Sequence, residues 1–525
     1  MERRGFLKSA SAAGLTLGLG SAARANASVP EHRWDRYDWG PGPAVPDPLY
    51  QGPFPQYGPG AVVPESDVWM VTTPSAESVG NPGMGLVVYA SDDTGPLRVP
   101  GQTLERTLED LIALPFAQKV YLRPNWRDVQ TRPGRLEFPE WWKIAFDLAR
   151  RHDKRIGFRV MLENPDSPEP GMPEFLMDEV PYVRLPGEWK GDPAQMRYRK
   201  DNRVPRYDHP AYQAAFRELN ALLAAELNGH PQVEFMDTMM YGFWGEGHTW
   251  PFEGNPFPSR LAAERTWAAM FEAQLEQWTR VPLATNTQPD FSDVGNSDLV
   301  DRTIRTGNWL RTDTIFIENT QIEALSFRPA WVAAICEAGF SSGDPKELRI
   351  DEDGLTYNEQ ILLHAADVGV NYMSLWGWHD QSAAALLSYY DRYPAPIDAM
   401  ARRIGYRVRP SFVWRFVRDG AEGIVVGLAN DGISGVPGVL RLSLLDASGS
   451  VLASGCIDAG CPKPGGVHQA MLLLPAGLSC DGLRLKAELE TKGGRWPVRW
   501  ACRQKLEADG SLRLRHNYRP DQPLV

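Results

Sequence analysis

The chain has 525 residues, 43% of them hydrophobic, and its 55 Lys and Arg against 66 Asp and Glu give a formal net charge of −11. This length predicts two domains, or three at most, because a single core rarely grows beyond about 250–300 residues. The acidic balance argues against nucleic acid as a partner, since nothing suggests the basic face that a phosphate backbone requires. It favours a neutral substrate. The 18 Trp residues are equally consistent with stacking on sugar rings and with a Trp-rich core.

The N-terminus has the three parts of an export signal. Residues 1–8 are basic, a Gly- and Ala-rich apolar stretch follows, and Ala25-Asn26-Ala27 ends it with small side chains. These features are typical of a cleaved signal peptide rather than a membrane span. The Arg3-Arg4 pair resembles a twin-arginine signal, which exports folded proteins. We therefore predict a signal peptide over residues 1–27 and a periplasmic location. No later run reaches the roughly 18 apolar residues of a transmembrane helix.

Residues 28–66 are rich in Pro, Gly and Tyr and are predicted to form an extended N-terminal arm. Between residues 67 and 404, short apolar β-like runs alternate with helical patterns. Seven strands are expected at residues 83–89, 119–123, 155–161, 233–240, 281–285, 330–336 and 370–376, and the sixth of eight at either 301–306 or 314–317. Helical patterns cover residues 103–114, 140–152, 211–227, 261–279 and 357–368.

Short apolar strands joined by helices indicate a parallel sheet. Eight of them over this length predict a closed (β/α)8 TIM barrel rather than an open doubly wound sheet. No G-x-G-x-x-G turn follows the first strand, which also argues against a dinucleotide-binding domain.

After about residue 405 the helical patterns stop. Short strands alternate with turn clusters, at residues 412–417, 423–428, 439–444, 470–474, 483–489 and 512–515. This spacing predicts an all-β sandwich over residues 405–525.

The five cysteines fall into two groups. Cys336 stands alone and is expected to be a free buried thiol, whereas Cys456, Cys461, Cys480 and Cys502 lie near the C-terminus. One or two disulfides are expected among these four in an oxidising compartment. No C-x-x-C spacing is present, so a zinc site is not indicated.

The active site of a (β/α)8 barrel lies at the C-terminal ends of the strands. The fourth strand leads into residues 241–248, Tyr-Gly-Phe-Trp-Gly-Glu-Gly-His, which contain Glu246. Glycines allow a tight turn close to a ligand. Aromatic neighbours can exclude water and raise the pKa of a carboxyl, as a general acid needs. Glu246 is therefore the best catalytic candidate, although a helix cap or an Arg partner is the structural alternative.

Glu337 follows the seventh strand, on the opposite side of the predicted barrel mouth. Two carboxylates flanking a bond are what glycoside hydrolysis requires. A salt-bridge role is the alternative for Glu337. Four other acidic residues near strand ends are interpreted as structural or substrate-positioning, although Glu163 and Glu318 remain rivals of Glu337 as the partner of Glu246; the four are Glu163, Asp237, Asp313 and Glu318.

The remaining polar and aromatic residues near strand ends fit a sugar site. Arginines can bind sugar hydroxyls or hold a carboxylate ionised, and Trp can form a platform under a sugar ring. The predicted substrate-binding residues are Arg123, Asn125, Trp126, Arg159, Tyr241, Trp244, His248, Asn286, Trp376 and Trp378. His248 and His379 lack the H-E-x-x-H type of spacing, and we predict neither a metal nor a cofactor.

With these residues the chain resembles the clan A (β/α)8-barrel glycoside hydrolases. Residues 120–128 and 132–138 are similar to the second strand and following loop of barrel β-galactosidases. Residues 81–85 and 242–246 resemble bacterial glycosidase-like barrel proteins that also end in a β-sandwich. The resemblance covers residues 80–525. It implies that Glu246 is the acid/base and Glu337 the nucleophile of a retaining enzyme.

One position departs from that family. Clan A enzymes usually carry Asn directly before the acid/base, where it contacts the sugar 2-hydroxyl, and this chain has Gly245. Asn125 or Asn286 could supply that contact; the alternative is an enzyme that does not follow the retaining scheme, and the separation of the two carboxyl groups would distinguish retaining from inverting. Three hypotheses follow: a glycosidase acting on an oligo- or polysaccharide, a non-catalytic carbohydrate-binding or scaffold protein, and a different barrel enzyme such as a metal-dependent hydrolase or a lyase.

Overall fold

A computed structural model describes residues 68–515, except for residues 93–94, 168, 186–202, 251, 253, 288–294, 313–324, 338–355, 376–382, 393, 419 and 493. The predicted signal peptide and N-terminal arm lie outside the described residues. The same holds for one of the two alternatives for the sixth strand, residues 314–317.

The strands are numbered in chain order. They are β1 (Val68–Val71), β2 (Gly85–Tyr89), β3 (Ser91–Asp92), β4 (Gly95–Pro96), β5 (Lys119–Leu122), β6 (Arg155–Phe158), β7 (Tyr182–Arg184), β8 (Arg203–Pro205), β9 (Val233–Asp237), β10 (Leu283–Asn286), β11 (Trp309–Thr312), β12 (Ala334–Cys336), β13 (Tyr372–Ser374), β14 (Val408–Arg418), β15 (Ala421–Asn430), β16 (Val439–Leu445), β17 (Val451–Cys456), β18 (Val467–Leu473), β19 (Arg484–Thr491), β20 (Gly494–Val498) and β21 (Leu512–Arg513).

The α-helices are numbered in the same way. They are α1 (Leu104–Ile112), α2 (Trp126–Val129), α3 (Glu140–Arg151), α4 (Pro210–Leu227), α5 (Arg260–Gln277), α6 (Gly295–Arg305), α7 (Tyr357–Val368), α8 (Ala383–Arg392) and α9 (Pro394–Arg403). Two single-turn 3₁₀ helices are Glu174–Leu176 and Phe243–Gly245. Within the described part of the chain, no helix has the length and apolar character of a membrane span.

Eight strands close into a parallel barrel in the order β2-β5-β6-β9-β10-β11-β12-β13. Their residues are almost all buried, as expected for parallel strands that carry side chains inside the barrel and helices outside. The C-terminal part consists of antiparallel sheets without helices. The predicted fold class, a TIM barrel followed by an all-β sandwich, is confirmed.

Helix ends in the barrel follow local rules of capping. At the start of α7, the Thr356 hydroxyl accepts from the backbone N–H of Glu359 at 3.2 Å, and the Glu359 carboxylate accepts from the backbone N–H of Thr356 at 2.7 Å. This reciprocal capping box satisfies two orphan donors. The same helix ends at Gly369, whose φ of 69° is left-handed and suits glycine.

The sixth strand differs from the prediction. Residues 301–305 belong to α6, where Asp301 and Arg305 form an ion pair one helical turn apart at 2.9 Å and Val300 and Ile304 pack on the core at the same spacing. The sixth strand is β11, which pairs in parallel with both β10 and β12. The prediction of a strand at 301–306 was therefore wrong, because a four-residue helical period was mistaken for a short apolar run.

The barrel interior is closed by a layer of large side chains beneath its mouth. It contains Val87, Tyr89, Tyr121, Phe235, Ala284, Trp309, Ala333, Ile335 and Tyr372. Phe235 lies directly over the backbone of Gly157, where an added Cβ would come within 2.1 Å of the ring. The hydroxyl groups of Tyr89 and Tyr121 in this layer reach Arg311 and Asp237 at the strand ends above it.

The C-terminal domain has two main sheets. One has the order β1-β14-β15-β18, and the other has the order β17-β16-β19-β20 with β21 paired to β19. Strand β1, which precedes the barrel in the sequence, pairs antiparallel with β14. This strand, β17 and β20 were not predicted from the sequence.

The sandwich contacts the N-terminal ends of the barrel strands. The Arg155 guanidinium at the start of β6 lies 3.6 Å from the centroid of the Trp496 ring, and the Lys492 ammonium donates to Asn308 at 2.8 Å just before β11. A cleft of about 1360 Å³ lies along this junction. The sandwich therefore covers the face of the barrel opposite to the strand ends that carry the candidate site.

The cysteines form no disulfide: Cys336 is a free buried thiol, as expected, and the four C-terminal cysteines are free as well. The expected one or two disulfides are thus not formed. Cys480 lies next to Glu422, whose carboxylate accepts from its backbone N–H at 3.2 Å, whereas Cys502 lies at the bridge to Pro74. Their closeness in sequence did not imply closeness of the thiols.

Candidate active site

Side chains from seven of the eight strand ends gather at the mouth of the barrel. All are buried, with at most 7% of any residue exposed. They are Tyr89 (β2), Tyr121 and Arg123 (β5 and just after it), Arg159 (after β6), Asp237, Glu246 and His248 (β9 and the loop after it), Asn286 (β10), Arg311 (β11) and Glu337 (after β12).

Residues 241–248 form a loop that folds back on itself. The backbone N–H of Phe243 donates to the carbonyl of His248 at 2.8 Å, and that of Gly247 donates to the carbonyl of Tyr241 at 3.0 Å. Gly242 has φ of +84°, and an added Cβ there would lie 2.1 Å from the His248 carbonyl oxygen. Only glycine fits this position without moving the loop, as the sequence suggested.

Trp244 is held in an unusual conformation within this loop. Its φ of 52° is left-handed, which is costly for a bulky residue and is typical of functional sites. Its backbone N–H donates to the carbonyl of Glu163 at 2.9 Å, and its indole N–H donates to Asp166 at 3.2 Å. The ring stays half-buried. These contacts fix the loop in place and orient the neighbouring Glu246.

Both carboxylate oxygens of Glu246 have partners. Oε1 accepts from Arg159 Nη2 at 2.7 Å, and Oε2 lies 3.1 Å from His248 Nε2. Burial by itself would raise the pKa of this carboxyl, but the Arg159 guanidinium and the His248 hydrogen bond hold it well below its usual range. The loop was expected to raise this pKa. The structure has the opposite result, because Arg159 reaches the carboxylate directly.

Glu337 is paired less completely. Its Oε2 accepts from Arg311 Nη2, but its Oε1 lies 3.8 Å from Arg123 Nη1, too far for a hydrogen bond. Burial, together with the smaller effect of the nearby negative charge of Glu246, raises the pKa of Glu337 to about 7 against the opposing effects of Arg311 and Arg123. The two glutamates thus influence each other electrostatically and differ in protonation near neutral pH.

Arg311 links three acidic or phenolic groups. Its Nη1 lies 2.9 Å from Asp237 Oδ2, while its Nη2 donates to Glu337 and lies 3.4 Å from the Tyr89 hydroxyl. Asp237 also accepts from the Tyr121 hydroxyl. Sequence reasoning did not single out Arg311, because the misplaced sixth strand put this residue in a loop.

The arginines and carboxyl groups of the described site lie close together. Three buried arginines (Arg123, Arg159 and Arg311) face three buried carboxylates (Asp237, Glu246 and Glu337). Buried charges persist only when they are paired in this way. The described part of the chain contains no group of three or more His, Cys, Asp or Glu that could hold a metal ion.

Several predicted site residues lie elsewhere. Trp126 is fully buried, donates to Gln130 at 2.8 Å and packs edge-on against Tyr212. Tyr241 is also fully buried and packs against Phe257. Both rings are covered by protein, so neither can lie under a sugar. Their apolar surface is needed between the barrel and its helices, which the sequence pattern did not reveal.

Asn125 and Glu163 hold a loop beside the barrel. The Asn125 amide donates to Asp128 at 3.1 Å and accepts from Asn164 at 3.2 Å. Glu163 accepts from the backbone N–H groups of Asn164 and Gly171, each at 3.2 Å. The remaining named residues, Asp313, Glu318, Trp376, Trp378 and His379, lie outside the described residues.

No protein-family model and no curated protein match the chain. Among solved structures, it is similar to endo-glycoceramidase II from Rhodococcus sp., with 12% identity over 78% of this chain and 100% of that one and a TM-score of 0.37. It is also similar to the catalytic domain of beta-amylase from Paenibacillus polymyxa (10% identity, 60% and 98% of the two chains, TM-score 0.40). A third similar structure is GH5_18 from Streptomyces cattleya in complex with GlcNAc (12% identity, 57% and 71%, TM-score 0.36). At these TM-scores, the substrate and mechanism have to be inferred from the site itself.

Proposed function

We propose that this protein hydrolyses an O-glycosidic bond with Glu246 and Glu337 as its two catalytic carboxylates. The observation that carries the proposal is the pair itself: two buried glutamates on different sides of a barrel mouth, one ionised and one able to hold a proton near neutral pH. Glycoside hydrolysis needs such a pair, because one group must protonate the leaving oxygen while the other acts as an anion.

The division of roles follows from the hydrogen bonds. Arg159 donates to one oxygen of Glu246 and His248 lies within hydrogen-bond distance of the other, and the guanidinium charge favours the ionised carboxylate. Glu337 accepts no hydrogen bond at Oε1 from the described residues, so this oxygen can carry the proton. We therefore propose Glu337 as the general acid and Glu246 as the anionic partner. This reverses the assignment that the clan A resemblance implies.

In a retaining reaction these roles give a balanced sequence. Glu337 gives its proton to the glycosidic oxygen as that bond to the anomeric carbon breaks, and Glu246 forms an ester bond to the same carbon. Glu337, now ionised, then takes a proton from water as the water oxygen displaces Glu246. Both carboxyl groups return to their starting states, and no metal or other cofactor takes part in the proposed steps.

Asn286 is the better of the two candidates for the contact that Gly245 cannot make. Its amide nitrogen donates to the backbone carbonyl of Glu246 at 3.0 Å. Its Oδ1 is buried and has no hydrogen-bond partner among the described residues. The free acceptor beside Glu246 suits a sugar hydroxyl, whereas the amide of Asn125 is already engaged by Asp128 and Asn164.

A non-catalytic carbohydrate-binding protein is the second candidate. The observation that favours it is that both oxygens of Glu246 are engaged in the ligand-free barrel, next to Gly245 in place of Asn. Such a protein would keep a sugar pocket at the barrel mouth and bind glycans without cleaving them.

The test is reducing-end release from a panel of oligosaccharides, polysaccharides and aryl glycosides. With the substrate found, kcat/KM should fall about tenfold per pH unit above pH 7, because Glu337 loses its proton there. A rate that falls instead below pH 7 would return Glu337 to the nucleophile role. Binding without release would favour the carbohydrate-binding protein, and activity lost together with a stoichiometric metal would favour a metal-dependent hydrolase.

A further inference from the structure

Asp237 is a third buried carboxylate in the site that the proposed reaction does not use. It ends β9, is 1% exposed, and contacts Arg311 at 2.9 Å and the Tyr121 hydroxyl. An ionised carboxylate at such depth is costly unless it is paired. Its main partner is the same arginine that binds Glu337, so the two carboxylates share one guanidinium group.

The sharing is visible in the geometry of Arg311. One terminal nitrogen faces Asp237 and the other faces Glu337. Arg159, by contrast, has one carboxylate hydrogen bond among the described residues, to Glu246. An arginine divided between two carboxylates stabilises each negative charge less than an undivided one would.

We infer that Asp237 is a positioning residue of this site, which acts through Arg311 and limits how strongly that arginine stabilises ionised Glu337. The inference rests on the proposed function for its meaning in catalysis, but not for its test. Loss of the Asp237 charge would leave Arg311 to Glu337 alone, and Glu337 would give up its proton more readily.

Other charged and titratable groups also face Glu337 and stay in place when Asp237 is changed. Those that act on Glu337 itself are Tyr89, Arg123, Arg159, Glu246 and Arg311. Tyr121 and His248 act on its neighbours Asp237 and Glu246. Burial remains the largest effect on the pKa of Glu337. The change expected on removing Asp237 is therefore a partial return toward the ordinary glutamate value.

The experiment compares Asp237→Asn with the unchanged full chain by ¹³C NMR titration of glutamate side-chain carboxyls. The Glu337 signal is assigned by its loss in Glu337→Gln. A carboxyl that titrates near pH 7 is distinguishable from ordinary glutamates, whose pKa is about 4.3. In Asp237→Asn this titration should move down by about one pH unit or more, and the alkaline limb of kcat/KM should move with it.

Asp431→Asn is the matched control. It makes the same change in an Asp–Arg pair of the sandwich, where Asp431 lies 2.8 Å from Arg409 Nε, and it should leave the titration of Glu337 unchanged. An unchanged or higher pKa of Glu337 in folded Asp237→Asn overturns the inference. The titration needs no substrate. If the protein has no glycosidase activity, the proposed function is refuted, but the titration still shows whether Asp237 affects the pKa of Glu337.

Tyr121→Phe tests the same arrangement if Asp237→Asn does not fold. Without the Tyr121 hydroxyl, Asp237 depends on Arg311 alone and draws it further from Glu337. The pKa of Glu337 should then stay the same or rise, and a fall would overturn the inference.

Discussion

Glu246 and Glu337 are both buried and both lie beside arginine, yet they differ in protonation. The difference lies in how each arginine is used. Arg159 binds Glu246 directly and His248 adds a second contact, so the negative charge of Glu246 is well compensated. Arg311 divides its contacts between Asp237 and Glu337, and burial then dominates at Glu337. Two glutamates beside arginines thus differ in one site: Glu337 can be protonated near neutral pH, and Glu246 is ionised.

The raised pKa of Glu337 predicts a cost in stability that depends on pH. Below pH 4.5, the ordinary pKa of a glutamate, the Glu337 carboxyl is protonated in both the folded and the unfolded state, and its titration does not affect the free energy of unfolding. As the pH rises toward 7 the unfolded chain releases the proton first, so the free energy of unfolding falls. Glu337→Gln removes this effect.

The variant should therefore gain stability relative to the unchanged protein by about 2 kcal/mol more at pH 8 than at pH 5. Chemical unfolding followed by Trp fluorescence at the two pH values measures the difference. An equal effect of the substitution at both pH values would mean that Glu337 titrates normally.

At the scale of elements, the barrel strands and helices could be predicted because their signals are local. Buried parallel strands are continuous apolar runs, and the helices have clear periods and caps, so α7 was predicted at its observed bounds. Strand β11 was missed because Arg311, which belongs to the site, and Thr312 interrupt its apolar pattern. Functional residues often break the pattern of the element that carries them.

The candidate site was predicted only in part, because some of its features have local signals in the sequence and others do not. The glycine-rich loop made Glu246 conspicuous, and Glu337 followed from its strand end. The ion pairs that set their protonation join residues far apart in sequence, such as Arg159 with Glu246 and Arg311 with Glu337. Those contacts depend on barrel closure and side-chain direction, which a local pattern does not contain. The burial of Trp126 and Tyr241 was not predicted, because it too depends on tertiary structure.

The loop that carries Glu246 should be sensitive to Gly242→Ala. The new methyl group would lie 2.1 Å from the His248 carbonyl oxygen, so the loop must open and Glu246 must move. A displacement of about 1 Å at a catalytic group costs on the order of 10²-fold in rate. We expect at least this loss of kcat/KM in a protein that remains folded by circular dichroism.

Gly134→Ala is the control for the backbone effect alone. Gly134 also has a left-handed φ, +73°, but nothing lies within 4 Å of an added Cβ. It should lose roughly 1–2 kcal/mol of stability and keep its activity. Equal activity of the two variants would show that the loop geometry does not matter.

At the scale of the whole molecule, the sandwich and the site occupy opposite faces of the barrel. The sandwich contacts residues at the beginnings of the barrel strands, such as Arg155 and Asn308, and it includes β1 from the start of the described chain. Pairing of β1 with β14 spans more than 300 residues and has no local signature. The sandwich was therefore predicted from the sequence, but its position at the beginnings of the barrel strands was not. This position leaves the barrel mouth uncovered by the sandwich.

The central claim, that Glu246 and Glu337 carry out hydrolysis, is tested most directly by kcat/KM of Glu246→Gln and Glu337→Gln on a cleaved glycoside. Glu490→Gln is the control, because it makes the same change in a glutamate paired with Arg441 at 2.5 Å in the sandwich. Both site variants should lose at least 10²- to 10⁴-fold, roughly the contribution of a catalytic acid or base, and the control should retain full activity. Undiminished activity in either folded site variant would contradict the account.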